Sequence, residues 1–189
     1  MRKKVVLAYS GGLDTSVLVR YLSEGGYDVV AFCADVGQGE NLEPVRKRAW
    51  ACGAKAVIVQ DLKAVFAKGY ILPALQAGAL YEGKYLLATS LSRPLIAKAM
   101  TQVAKKHRAV AVAHGCTGKG NDQVRLEVSL KILNPKLKVL APVREWELKS
   151  RTQELAYAKK HKLPVAPKKE TRYSLDQNLW GVSIESGPL

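Results

Sequence analysis

Short apolar runs alternate with stretches in which apolar residues recur at helical spacing, and the alternation runs the length of the chain. Val5 to Ala8, Asp28 to Ala34, Lys55 to Gln60, Ala109 to Ala113 and Lys138 to Ala141 read as strands. The first has no charge and two β-branched residues, the pattern of a strand buried on both faces. A helix through Val17, Leu18, Tyr21 and Leu22 follows it, and an amphipathic helix from Asn41 to Ala51, stopped near Gly53, follows the second strand. Another helix is expected from about Asp61. The middle of the chain is helical, punctuated by Pro73 and Gly78, and includes Ser92 to His107. There Pro94 falls in the first turn, where proline is tolerated, and Ile96, Met100 and Val103 share a face. Asp122 to Leu133 and Ser150 to His161 are the last helices, and no internal repeat or low-complexity tract interrupts the pattern.

Strands alternating with helices predict an α/β fold, a parallel five-stranded sheet with helices on both faces and right-handed crossovers. In such sheets ligands bind beyond the carboxyl ends of the strands, where strand order reverses. With the order 3-2-1-4-5, that point lies between strands one and four. The loops after those two strands would then face one crevice.

The first of these loops is Ser10-Gly11-Gly12-Leu13-Asp14-Thr15-Ser16. Gly11 and Gly12 permit dihedrals and close backbone approach that a Cβ would block. Asp14, Thr15 and Ser16 are expected to serve as cap and first-turn residues of the following helix. Unpaired N–H groups at a helix start, with the positive end of its dipole, favour an anion. Ser10, Thr15 and Ser16 add hydroxyls around that point, so the loop reads as a phosphate or pyrophosphate cradle. Its spacing is neither that of a Walker A loop nor that of a dinucleotide fingerprint.

The second loop runs from His114 through Gly115, Cys116, Thr117, Gly118, Lys119 and Gly120 to Asn121 and Asp122. Its glycines let the backbone close over a ligand, and Lys119 offers a charge to phosphate. Asn121 and Asp122 are expected to cap the next helix. Arg125, about a turn later, can hold a carboxylate bidentately. A glycine-rich turn with a good cap, and a satisfied His114, would explain the same residues without a ligand. A third cluster, Tyr81 to Pro94, holds Tyr85, Thr89, Ser90, Ser92 and Arg93. Taken by itself it reads as core tyrosines, helix caps and a surface arginine.

Composition narrows the classes. Length suits one domain with an appendage, able to bury a full core. No apolar run is long enough to span a bilayer. Met1-Arg2-Lys3-Lys4 leads straight into the first strand, which is unlike a signal peptide. Cys33, Cys52 and Cys116 are an odd number at wide spacings, so neither a disulfide framework nor a zinc site is expected, and a cytoplasmic setting fits. The formal charge is +14. Its lysines and arginines, among them Arg46-Lys47-Arg48, Lys105-Lys106 and Lys159-Lys160, are spread along helical segments and read as solvated faces. Nucleic acid is therefore an unfavoured partner, and anionic small molecules suit the charge as well.

The segment Ala8 to Ser16 resembles the PP-loop of ATP pyrophosphatases, enzymes that cleave ATP between its α- and β-phosphates. Together with Tyr85 to Pro94, His114 to Glu127 and Ser174 to Trp180, in this order and spacing, it is similar to the argininosuccinate synthase family. The Gly115-to-Arg125 run is the most discriminating part. The resemblance implies a Rossmann-like HUP fold and a ligase acting in two steps. ATP, with Mg²⁺, activates the ureido oxygen of citrulline as a citrullyl adenylate and releases pyrophosphate. The amine of aspartate then displaces AMP to give argininosuccinate. By the same resemblance, Ala8, Tyr9, Ser10, Gly11, Gly12, Leu13, Asp14, Thr15, Ser16, Ala34 and Gly115 would hold ATP. Thr117, Asn121 and Asp122 would bind aspartate, and Tyr85, Ser90, Asn121, Arg125, Ser174 and Ser183 citrulline. Asp14, Lys119 and Asp122 are the expected catalytic residues, with Asp122 orienting the aspartate amine. No metal ligands are assigned.

The family continues past Leu189 into a synthetase domain and a helix that assembles a homotetramer. Residues 1–166 are therefore expected to form the nucleotide-binding domain and 167–189 the start of the next. The chain is expected to bind ATP while having little or no synthase activity, since further citrulline contacts would lie beyond it. The tail after Pro164 and Pro167 is expected to be mobile or held by another chain. Two other readings compete, a PP-loop enzyme that modifies tRNA and a non-catalytic nucleotide-binding module.

Overall fold

The computed structural model describes residues 2–165 and 174–186. Five parallel strands form the sheet: β1 (Lys3–Ala8), β2 (Tyr27–Asp35), β3 (Ala56–Asp61), β4 (Ala111–Ala113) and β5 (Lys138–Leu140). Their order is β3-β2-β1-β4-β5, the order expected from the fold type. β1 is central, with Val6 paired to Val30 on one side and to Val112 on the other. Both of its faces are covered, which is why it tolerates no polar residue between Val5 and Leu7.

Side-chain alternation divides the core in two. Val5, Leu7, Val29 and Ala31 point to one side, where they meet α1 (Leu13–Glu24), α2 (Glu43–Ala51) and α8 (Arg151–Lys160). Val6, Val30, Phe32 and Val112 point to the other, against α5 (Ala88–His107) and α6 (Asp122–Leu133). Between β3 and α5 the chain winds through α3 (Lys63–Phe66), a π-helical turn (Ala67–Ile71) and α4 (Leu72–Gln76). Phe66, fully buried from this stretch, contributes about 2–3 kcal/mol by burial. A short helix, α7 (Pro142–Glu145), follows β5. Ser150 caps α8 in a capping box with Gln153.

Three local expectations change. The helix read as starting at Ser92 starts four residues earlier, so Pro94 is interior to α5. A proline there has no N–H to offer the Ser90 carbonyl. The helix is entered through Leu87, in the left-handed region at φ 62°, a conformation that costs a non-glycine residue about 1 kcal/mol. α1 has Gly12 as its N-cap with no side-chain capping bond, so Asp14, Thr15 and Ser16 lie inside its first turn.

The tail departs furthest from expectation. β6 (Ser174–Asn178) and β7 (Gly181–Ser186) form an antiparallel hairpin docked at the start of α5. Buried Asn178 donates from Nδ2 to the Ala88 carbonyl (2.9 Å), and the Trp180 indole N–H to the Leu86 carbonyl (2.6 Å). Leu179 N–H donates to the Val36 carbonyl (2.9 Å). Expected to lack a partner, this part of the tail finds one in the backbone carbonyls of Val36, Leu86 and Ala88. The boundary expected at 166–167 lies outside the described residues.

Candidate functional site at the β1–β4 crevice

β1 and β4 are hydrogen-bonded neighbours, and the loops that leave their carboxyl ends share one opening. Gly115 fixes this arrangement. A Cβ on it would lie 3.3 Å from Leu18 Cδ1 and 3.4 Å from Thr15 Cγ2, so the second loop rests on the first turn of α1.

The first loop is held from behind. Gly11 sits at φ +78°, and a Cβ there would come within 2.8 Å of Val45 Cγ1 on α2. Its carbonyl accepts a bond from Arg48, also on α2. Arg48, read from sequence as part of a solvated face, is half-buried and structural. Gly12 differs, because its φ is −71° and a Cβ would meet only Ser10 Oγ, at 3.5 Å. The fold needs a glycine at position 11 and has room for a side chain at position 12.

The first intrahelical bond runs from Ser16 N–H to the Gly12 carbonyl (3.1 Å), so the amides of Leu13, Asp14 and Thr15 precede the helical ladder. The hydroxyls divide between two tasks. Ser10 and Thr15 bond each other across the mouth (3.2 Å). Ser16 is fully buried and paired with the Tyr9 hydroxyl (3.1 Å), which turns both inward. Burial pushes the Tyr9 hydroxyl up to about 12, so it stays protonated. Ala8 ends β1, and Ala34, one strand over, lies at the same edge of the sheet.

The second loop is anchored at its base and open at its tip. His114 is buried; its Nδ1 accepts from Cys116 N–H (3.2 Å), which leaves Nε2–H to donate to Glu127 (3.2 Å). Burial lowers the imidazole pKa and Arg144 adds to this, against the pull of Glu127. Glu127 also pairs with Arg144, which donates to Gln123 (2.8 Å). Gln123 in turn holds the Gly118 carbonyl (2.9 Å). Thr117, Gly118, Lys119, Gly120 and Asn121 are exposed. Asn121 is the N-cap of α6 by position but makes no side-chain capping bond.

Asp122, expected as a cap, is instead the centre of an ion-pair network. Arg93 donates to its Oδ2 from Nε (2.9 Å) and Nη2 (2.6 Å), while Arg125 donates to Oδ1 (3.0 Å). The same Arg93 nitrogen reaches Asp176 on the hairpin. Burial alone would depress the Arg93 pKa, but Asp176 and Asp122 outweigh it and raise it. Read as a surface charge, Arg93 has a side chain only 15% exposed. Arg125 also donates to Thr89 Oγ1 (3.2 Å), and Thr89 bonds the Tyr85 hydroxyl. Burial would raise the Tyr85 pKa, yet hydrogen bonds from Thr89 and Ser90 lower it.

Tyr85, Ser90, Asp122 and Arg125 are thus brought together, and the hairpin joins them. Ser183 pairs in register with Asp176, and its buried Oγ has no hydrogen-bond partner. Ser174 heads β6, but its side chain lies outside the described part. Sequence reasoning missed Arg93, Asp176, Arg48, Glu127 and Arg144 as site-building residues. Their partners stand 13 to 83 residues away along the chain, and no local pattern marks them.

The family profile for the Arginosuccinate synthase N-terminal HUP domain matches residues 4–164. The chain belongs to this family. It is 58% identical over 188 residues to argininosuccinate synthase of Aquifex aeolicus, covering 100% of this chain and 47% of that protein. It is 61% identical over 188 residues to the enzyme of Bacillus licheniformis, covering 46% of it. The chain therefore spans about half the length of the curated relatives it matches.

Among solved structures, a 4-thiouridine synthetase in complex with RNA and bound ATP superposes with a TM-score of 0.59 at 17% identity. It covers 84% of this chain and 40% of that one. A predicted subunit of a tRNA methyltransferase from Methanocaldococcus jannaschii superposes at 0.58 and 15% identity, covering 83% and 76%. At such identities the likeness is one of fold. Among the described residues no helix is long and apolar enough to cross a membrane.

Proposed function

We propose that this chain is the nucleotide-binding half of an argininosuccinate synthase, which binds ATP with its phosphates on the β1–α1 turn. The observation that carries the reading is Gly12. The fold leaves room for a side chain there, while the surrounding amides precede the helical ladder, so the bareness of that position serves a ligand. Ala34 lies where the nucleoside would extend, and Gly115 closes the far wall.

Citrulline and aspartate would sit across the crevice. Tyr85, Ser90 and Arg125 form a polar floor for citrulline, joined by Ser174 and Ser183, with Asn121 at the rim. Ser183 has the unfilled buried oxygen that such a ligand could pair. Thr117, Asn121 and Asp122 would take aspartate, with Asp122, held by two arginines, accepting from its amine and orienting it toward the activated carbon. Lys119, on the open tip, would meet the departing pyrophosphate. The chemistry then rests on positioning and on donors at a helix start that stabilise the leaving phosphates, with no covalent nucleophile.

Among the described residues no group of three or more His, Cys, Asp or Glu side chains could hold a metal ion. Mg²⁺ would therefore enter on the triphosphate, whose oxygens and waters supply its ligands and whose charge it neutralises. The RNA-modifying reading, which the PP-loop resemblance and the charge of +14 would also suit, draws no support from the network around Asp122, whose paired arginines and carboxylates would suit small zwitterions.

Calorimetry with MgATP on the parent and on Gly12→Asp tests the assignment. Aspartate is a favoured N-cap and the position is open, so the variant should fold as the parent does. Its charge should expel the triphosphate and remove the binding heat. Equal heats would end the reading. Citrulline-dependent pyrophosphate release by this chain alone should be far below that of a full-length relative.

A further inference from the structure

The formal charge of +14 reads along the chain as solvated helix faces, but the fold gathers much of it at the amino-terminal end of the sheet, opposite the crevice. The strand starts stand nearly level there. Lys3 is beside Tyr27, and Val5 is beside Ala111, which is beside Lys138. Lys55 N–H donates to the Val29 carbonyl (2.7 Å) and Val110 N–H to the Lys4 carbonyl (3.0 Å), so Arg2, Lys3, Lys4, Lys55 and Lys138 share one edge. The crossover helices run against the strands and end at that edge. α5 ends in Lys105, Lys106 and Arg108, and α6 in Lys131, with Lys136 just beyond. α8 ends in Lys159, Lys160 and then Lys162, tied to the last turn of α1 by Tyr157 and His161 on Glu24.

All of these lysines and arginines are exposed, and among the described residues none pairs with a carboxylate. The acids at the same edge are Asp28, level with Lys4, and Glu24, already held by Arg20, Tyr157 and His161. Thus 13 of the chain's 30 lysines and arginines meet in one place with little to neutralise them. Stability does not ask for this. A helix dipole favours a cation at its carboxyl end, but Lys3, Lys4 and Lys138 stand on strands, and like charges crowded together repel. Arg108 and Lys162 point the same way. Both follow a helix end in the left-handed region, at φ 53°, where glycine sits without strain. The fold keeps a cation in each place against its own backbone preference.

We propose that this face is a docking surface for RNA, met at its phosphate backbone, at the end of the molecule away from the β1–β4 crevice. The proposal does not depend on what the crevice binds. The face measures roughly 20 Å along the five strands and 30 Å across the helix layers. Lysines are compact point charges that neutralise phosphates and read no sequence. Strand starts and helix ends make a level surface, with no described element to enter a major groove. Such a surface suits the phosphates that rim the wide, shallow minor groove of an A-form duplex. An anionic membrane suits it less, because lysine occupies its centre while the exposed Ile132 and Leu133 stand at the α6 corner.

Fluorescence anisotropy of a labelled RNA duplex of about 20 base pairs, titrated between about 50 and 200 mM salt, tests this. The parent's affinity should fall steeply with salt, with a log–log slope near −5 for about six phosphates met. Lys4→Gln, Lys106→Gln, Lys138→Gln and Lys160→Gln together should flatten that slope by about three and weaken binding more than about tenfold. Lys47→Gln, Lys68→Gln, Lys98→Gln and Lys149→Gln remove the same charge from exposed positions elsewhere and should stay within about threefold of the parent. Equal losses in the two sets, or no binding by the parent, would overturn the proposal. Arg108→Gly with Lys162→Gly separates binding from folding. Relief of the left-handed strain should hold Tm at or above the parent's, while RNA affinity falls about fivefold. Undiminished affinity in that variant would contradict the role of these two cations. Tighter binding to a DNA duplex of the same sequence would overturn the choice of partner. So would retention on vesicles with about one-third phosphatidylserine, without RNA binding.

Discussion

The two walls of the crevice are built in different ways. The β1–α1 turn is made of backbone: Gly11 pressed on Val45, its carbonyl held by Arg48, and buried Tyr9 and Ser16 bonded beneath it. The β4–α6 wall is made of charged side chains: Arg93, Asp122, Arg125 and Asp176 on one flank, His114, Glu127 and Arg144 on the other. Between those flanks the loop tip from Thr117 to Asn121 is exposed. A phosphate tail is much the same in every nucleotide and suits fixed amides. Under the proposed function, two amino-acid substrates that react with each other would suit a wall whose polar groups are set by mutual pairing.

The largest expected effect lies in the charged wall. Arg93→Ala leaves Asp122 and Asp176 facing each other without their shared cation and should cost about 3 kcal/mol in chemical denaturation. Asp176→Asn should cost less, because Arg93 keeps Asp122. A silent Arg93→Ala would mean that packing, not pairing, sets this wall.

In the backbone wall, Gly11→Ala should cost about 2 kcal/mol, through left-handed strain and the contact with Val45. Adding Val45→Ala should relieve the contact and leave the strain, so part of the loss returns. Additive losses in the double variant would contradict that packing. Arg48→Ala, which removes only a bond to a carbonyl, should cost about 1 kcal/mol and weaken nucleotide binding more than it weakens folding.

The smallest effect is a pH slope from His114. Its folded pKa lies below the unfolded value of about 6.5. The stability it contributes is full above that value and is lost as pH falls through the depressed one. His114→Gln should flatten the acid limb of a Tm profile, and an unchanged limb would assign that slope elsewhere.

The same contrast explains what could be read in advance. The central strand and the first loop follow from local pattern: an uncharged run, a glycine pair, a helix start; strand order follows from the fold type. Even there the pattern treated Gly11 and Gly12 alike, because only the position of Val45 separates a glycine the fold needs from one where it leaves room for a side chain. The second wall was visible through Asp122 and Arg125, but not through Arg93 or Asp176, whose burial depends on a hairpin that helical and strand periodicity did not announce. The docking of that hairpin was missed for a related reason. It answers to backbone carbonyls at Leu86 and Ala88, on either side of the left-handed entry to α5, and a sequence pattern carries no sign of which carbonyls a distant hairpin will meet.

A crystal structure of this chain grown with MgATP would test the central claim most directly. The account predicts the triphosphate over the amides of Gly12 to Thr15, the nucleoside toward Ala34, and the Gly115 loop across the same opening. A triphosphate bound anywhere else on the molecule would contradict it.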